Sequence, residues 1–432
     1  MSQNKLKQRI FKGLMSGAFG QAVTIGIQLL SIPLLLHYWG IELYGEWLIL
    51  SAIPTYLSLS NIGLPATAGN AIAMLDENTD QEKRLEIYQS TWFMVTGFSL
   101  IMLFIFIAAI YLFNVYELTN IKTMAKETFF IAISLLLFHV ILCFQSGILK
   151  IAYRAIKRNP FGDFLNYLTR MFEWIGASIL VFYGQGIIEV ALCFVIVRVL
   201  SNIIQWGILK INKNKLSIGV KYYKFSAVKS LLKPSVAAMS FPLGLALVLQ
   251  GMIILIGHFL SPASVVVFNV YRTLTRVVVQ VVAVINQSIW PEISYAYSQG
   301  NINLIKSLMK RSQMVCFIIG LVLITALHFT HELIIDLWLN KSIIHNELLF
   351  QTLLAATFIH LLWQPFWVTK MALNKHVIFS YFFVLISLLT ILISTQLIPL
   401  LGIIGVGYSM ALGEALLLCS SYYLIKKTIR AL

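Results

Sequence analysis

Acidic residues are scarce in this 432-residue chain, which holds 17 Asp and Glu against 32 Lys and Arg, a formal net charge of +15. Charged residues of both signs make up only 11% of it, well under the ~25% usual in soluble domains. There are four cysteines, Cys143, Cys193, Cys316 and Cys419, each more than 40 residues from the next and each within an apolar stretch. That spacing gives neither a disulfide framework nor a metal site, so they read as small buried hydrophobes. No G-x-x-x-x-G-K-[ST] phosphate loop occurs and no connector has room for a nucleotide-binding domain, so the chain does not hydrolyse ATP by itself. His331-Glu332 opens like a zinc-protease motif, but position 335 is Ile and the second histidine ligand is missing. No metal and no cofactor are therefore expected. The connectors opposite the basic side are short, the longest running from Asn114 to Lys126. They leave no sizeable aqueous loop for a cluster of catalytic acids or arginines, so an enzyme is not expected either.

Apolar sequence is what the chain has in quantity. Hydrophobic residues make up 59% and mean hydropathy is +0.84. Twelve apolar stretches lie near 13–37, 44–73, 89–113, 127–149, 164–183, 187–209, 234–260, 264–290, 312–338, 347–369, 377–399 and 403–425. Each holds the roughly 20 residues that cross about 30 Å of hydrocarbon as a helix. Of the 32 basic residues, four lie inside spans and only Lys122, Lys126 and Lys341 fall on one side; the remaining 25 fall on the other. The positive-inside rule then puts both termini in the cytoplasm. The basic residues serve topology and anionic lipid headgroups, and nucleic acid is not a partner. The charged N-terminal stretch followed by an apolar block resembles a signal sequence, but that block runs some 25 residues into a second span and reads as an uncleaved helix.

The expected fold class is therefore all-α integral membrane, with about 12 transmembrane helices. The longest connector, 210–233, is basic and central, and divides the chain into six-span lobes at 1–209 and 234–432. Parallel halves of this kind are a known transporter plan. A weak echo at an offset of 221 relates the segment from His37 to Trp47 to that from His258 to Phe268. Pro33, Pro54, Pro242 and Pro365 lie within spans and mark expected kinks, either hinges or static bends.

Four arginines fall inside spans: Arg170, Arg198, Arg272 and Arg276. A central arginine costs roughly 2.5–3.5 kcal/mol on insertion scales, so it usually faces a bundle interior or a water-filled cavity. Arg272 and Arg276 share one helix face, with Tyr271, Gln280, Asn286 and Gln287 on the same helix. Two guanidinium forks match the oxygens of a phosphate or pyrophosphate. Arg272, Arg276 and Arg198 are the candidate substrate-binding residues, against the alternative that each pairs with an acid or caps carbonyls. Arg170 has Glu173 three residues on, spacing suited to a local ion pair. Glu414, near the middle of the last span, either carries a coupling proton or neutralises Arg198, and the sequence leaves both open. Trp363 and Trp367 flank Pro365 and are either sugar-stacking surfaces or packing and interface anchors.

The stretch Gly40-Ile-Glu-Leu-Tyr-Gly-Glu-Trp47, followed by Pro54-Thr-Tyr-Leu-Ser-Leu-Ser-Asn-Ile-Gly-Leu64, resembles Wzx-type O-antigen flippases of the multidrug/oligosaccharidyl-lipid/polysaccharide exporter superfamily. Tyr271-Arg-Thr-Leu-Thr-Arg276 and Trp290-Pro-Glu-Ile-Ser294 are also similar to that family, and the likeness covers essentially the whole chain. It implies two six-helix lobes around a central cavity lined largely by the first, second, seventh and eighth helices. Arg272 and Arg276 fit that placement, whereas Arg170 and Arg198 do not fit it directly. The implied function is translocation of an undecaprenyl-pyrophosphate-linked oligosaccharide across the bacterial inner membrane. Membrane lipids and polysaccharide-assembly proteins are the further partners. Peptidoglycan-precursor flippases of the superfamily have two more helices and arginines in their first two spans, which argues against that substrate. A multidrug antiporter of the superfamily, or a non-transporting scaffold for polysaccharide assembly, are the alternatives.

Overall fold

The computed structural model describes residues 3–59, 63–76, 79–211 and 216–430, and these form helices joined by short connectors. In chain order they are α1 (Gln3–Leu59), α2 (Gly63–Met74), α3 (Gln81–Leu112), the single turn α4 (Val115–Leu118), α5 (Lys126–Ala155), α6 (Asn159–Phe182) and α7 (Ile187–Ile211). There follow α8 (Phe225–Phe259), α9 (Pro262–Ser298), α10 (Ile302–Leu339), α11 (Glu347–Ala372), α12 (Val377–Leu401) and α13 (Ile404–Arg430). Among the described residues, ten stretches are long and apolar enough to cross a membrane. Two features separate that number from the twelve expected. The run from Met15 to Met74 counts once although it contains two of the expected spans, and α6 is diluted by Asn166, Thr169, Arg170 and Glu173. The protein is all-α and multi-pass.

The first two spans meet at Gly40, where φ is 73° and ψ is 173°. That region of backbone space is essentially restricted to glycine. Pro33 and Pro54, expected to kink, keep helical dihedrals, so the break in α1 falls between them instead. Later helices start on side-chain caps: Ser261, Asn301 and Asn346 accept the backbone N–H groups of Ser264, Leu304 and Leu349 at 3.2, 3.0 and 3.0 Å. Each cap satisfies one of the donors a helix start leaves unpaired. Ser60, Asn61 and Ile62 of the second family-like stretch, with Lys213 and Lys215 of the basic connector, lie outside the described residues.

The chain forms two compact units, Met1–Pro242 and Leu243–Leu432. In the first, α5 is central and packs on α1, α2, α3, α6 and α7. In the second, α11 is central and packs on α9, α10 and α13. Small residues allow close approach there: Gly407 lies against Thr352 and Gly413 against Thr390, with no room for a Cβ at either glycine. Close packing across small residues is how helices associate in lipid, where no hydrophobic force drives them together. Buried hydroxyls turn inward on their own helix; Thr369, Ser387, Thr390 and Ser394 each donate to a carbonyl four residues back, at 2.7 or 2.8 Å. Phe104, Leu112, Ile204, Phe329 and Leu392 are exposed, as suits surfaces solvated by acyl chains.

Candidate functional site

The Gly40–Trp47 stretch builds a corner. Beyond the Gly40 break, Tyr44 and Trp47 are buried, and Trp47 meets Trp39 edge-on at 5.7 Å. Trp39 donates its indole N–H to the Gln185 carbonyl at 3.1 Å. Glu46 is fully buried, and its carboxylate accepts the backbone N–H groups of Lys122, Thr123 and Met124 at 2.7, 2.6 and 2.7 Å. Three charge-assisted bonds satisfy an otherwise costly buried anion and fix the connector before α5. Nothing local in the sequence around Glu46 announces three donors some 76–78 residues away.

Also in the first unit, Arg198, Glu173 and His139 form one network. Arg198 of α7 donates through Nε and Nη2 to the two oxygens of Glu173 on α6, at 2.8 and 2.7 Å. His139 of α5 reaches the same carboxylate through Nε2 at 2.8 Å. Glu173 is thus bonded to a neighbouring helix on each side, and the local pair expected with Arg170 does not form. Arg170 instead makes a 3.4 Å contact with Oγ1 of Thr24. The alternative that Glu414 neutralises Arg198 is likewise replaced by the Glu173 fork. The bidentate geometry explains why: it meets both carboxylate oxygens in parallel, which an i, i+3 neighbour on one helix does less well.

In the second unit Glu414 of α13 takes the indole N–H of Trp363 at 2.6 Å and lies 3.2 Å from Nδ1 of His360. Trp363 is fully buried and packs against His360, Phe379 and Phe383. Trp367 packs on Phe379. Both tryptophans are in packing positions. Asn286 links three helices, donating to Gln364 at 3.1 Å and accepting from Ser312 at 2.8 Å. The neighbouring Gln287 side chain lies outside the described residues. Tyr271, fully buried, accepts the Asn346 N–H at 2.7 Å and holds the start of α11.

Arg272 and Arg276 differ although they are one turn apart on α9. Arg272 donates to the Leu249 carbonyl at 3.0 Å and to Oδ1 of Asn269 at 2.7 Å, and its guanidinium lies 5.4 Å from the Phe268 ring centre. Arg276 is half-buried and has neither an ion pair nor a hydrogen bond among the described residues. A buried guanidinium without an anion is costly. Chemically, it is a donor fork waiting for an acceptor.

No family model and no curated protein matches the chain. Solved structures do. The inward-facing conformation of a multidrug resistance MATE family transporter of the MOP superfamily is similar at a TM-score of 0.68 and 14% identity, over 98% of both chains. The inward closed conformation of the lipid II flippase MurJ is similar at a TM-score of 0.71 and 13% identity, over 96% of this chain and 87% of that one. A MOP superfamily transporter from Pyrococcus furiosus, described by the reverse polarity of its binding pocket, is similar at 0.59 and 13% identity, over 98% and 94%. The chain has the fold of MOP-superfamily transporters.

Proposed function

We propose that this protein is a flippase which carries an undecaprenyl-pyrophosphate-linked oligosaccharide, an O-antigen or similar repeat unit, across the bacterial inner membrane by alternating access. It is a transporter in this reading and not an enzyme. The observation that carries the proposal is Arg276, a half-buried guanidinium with no partner among the described residues, one turn from Arg272. A pyrophosphate would supply the missing acceptor, and Arg272 would add a second cation on the same face. Arg198 commits Nε and Nη2 to Glu173, so it serves the substrate only through its remaining nitrogen or after Glu173 releases it. The residues 1–209 and 234–432 act as the two lobes, with 210–233 as a cytoplasmic linker and both termini in the cytoplasm. The likeness to a lipid II flippase supports a lipid-linked substrate in general terms. The test is surface polysaccharide in a strain lacking the native copy, normalised to protein level. Normal export by the Arg272→Ala/Arg276→Ala double variant would refute the assignment.

One observation favours a multidrug antiporter. Each unit holds a membrane-embedded acid bonded to a histidine, Glu173 with His139 and Glu414 with His360, and such pairs suit proton exchange. That reading predicts proton-driven efflux of cationic dyes, lost in Glu173→Gln or Glu414→Gln, with no change in surface polysaccharide.

A further inference from the structure

His331 and Glu332, which open an incomplete zinc-protease motif near the end of α10, meet a third ligand that the sequence motif does not contain. Glu347, the first residue of α11, places its carboxylate oxygen 2.9 Å from Nε2 of His331. The ligand atoms of His331, Glu332 and Glu347 all lie within 4.8 Å of one another. We propose that these three side chains bind a divalent transition-metal ion of the zinc type, which clips the end of α10 to the start of α11.

The imidazole is set up for a metal by its other nitrogen. Nδ1 of His331 lies 3.0 Å from the His328 carbonyl oxygen. A carbonyl only accepts, so Nδ1 carries a proton, and Nε2 is the nitrogen turned toward the carboxylates, where a metal ion would take the place of a proton. Histidines that ligate metals usually donate their second N–H in this way, which fixes tautomer and ring plane. The ring is further held by Phe350, stacked at 4.1 Å between centroids with a 14° tilt, and is 4% exposed. Glu347 is held as firmly at its backbone, because Asn346 before it caps α11 through Leu349 and is itself bonded to Tyr271. Gln351 donates to Glu347 and lies 2.8 Å from Nδ1 of His328, forming an outer layer around the ligands.

Charge points the same way. Two carboxylates converge on one imidazole, and no Lys or Arg forms an ion pair with either glutamate among the described residues. A divalent cation offsets the formal charge of both carboxylates, whereas a single histidine can offset that of only one. One imidazole and two carboxylates are a zinc-compatible donor set, with a water completing four-coordination. In a tetrahedral site ligands about 2.1 Å from the metal lie about 3.4 Å apart. The two glutamates are exposed, so side-chain rotation can supply the shift of up to about 1.4 Å that closes the set. In the ion-pair alternative Glu332 does nothing, and that distinguishes the two.

The experiment uses the full chain, purified in detergent, stripped with chelator and equilibrated with zinc or cobalt(II) alone. About one ion per chain is expected, with the visible ligand-field absorption of a low-coordinate cobalt site. Glu332→Gln, an exposed and nearly isosteric change, should weaken binding by about tenfold or more while leaving thermal stability of the metal-free protein unchanged. His331→Asn should weaken binding likewise, and the melting curve of the metal-free protein checks that it still folds. Absence of metal in the parent protein overturns the proposal, as does equal binding by Glu332→Gln, which would assign the ion to the nearby pair of His345 and Asp336, 2.9 Å apart, or to adventitious surface histidines.

Discussion

Arg198 and Glu173 face each other across α6 and α7 as a two-bond fork, at 2.8 and 2.7 Å, with side chains only 9% and 5% exposed. Removing one partner leaves an uncompensated buried charge, at a cost of roughly 3–5 kcal/mol, whereas replacing both by apolar groups of similar size is often neutral. Arg198→Met and Glu173→Leu should each lower the melting temperature of the purified protein substantially, and the double variant should recover most of the loss. Additive losses in that cycle would show that the fork is not what holds α6 to α7.

The two arginines of α9 should separate. Arg272 bonds the Leu249 carbonyl on α8, so Arg272→Ala should reduce both membrane abundance and export. Arg276 makes no such bond among the described residues, and Arg276→Ala should leave abundance unchanged while removing most export. Arg276→Lys keeps the charge without the fork and should retain part of it. Immunoblots of membranes alongside surface polysaccharide measure both effects, and a fall in abundance for Arg276→Ala would assign it a structural role.

Glu46→Ala should destabilise the first unit strongly, because three N–H groups lose their acceptor at about 1–3 kcal/mol for each donor left unpaired in the interior. Glu46→Gln keeps one acceptor oxygen and should fall between the two. Limited proteolysis at the connector 119–125 reads the effect locally; unchanged protection in Glu46→Ala would contradict it.

His376, in the connector between α11 and α12, has its pKa held below the usual 6.5 by burial and by the nearby Lys370 charge. Its folded value lies below its unfolded value, so its contribution is present above the unfolded pKa and is lost as pH falls below it and through the folded value. Melting temperatures taken from pH 7.5 to pH 5 should decline less for His376→Gln than for the parent protein. Parallel curves would remove His376 from the pH response.

Sequence by itself determined that this protein lives in a membrane and where its helices run. Those properties are one-dimensional: hydropathy over about 20 residues decides insertion, whichever way each helix is rotated. The same reading marked Arg198, Arg272, Arg276 and Glu414 as residues that need a reason to be buried. Tertiary structure decided what each of them meets. Glu173 turned from its near neighbour Arg170 to Arg198 and His139 on adjacent helices, because a carboxylate's partner depends on helix rotation and crossing and not on spacing. Glu414 went to His360 and Trp363, Glu46 to a connector far along the chain, and Glu347 to a histidine motif that looked unfinished. Only Arg276 was left without a partner among the described residues, and packing, which no local pattern encodes, separated it from Arg272 one turn away.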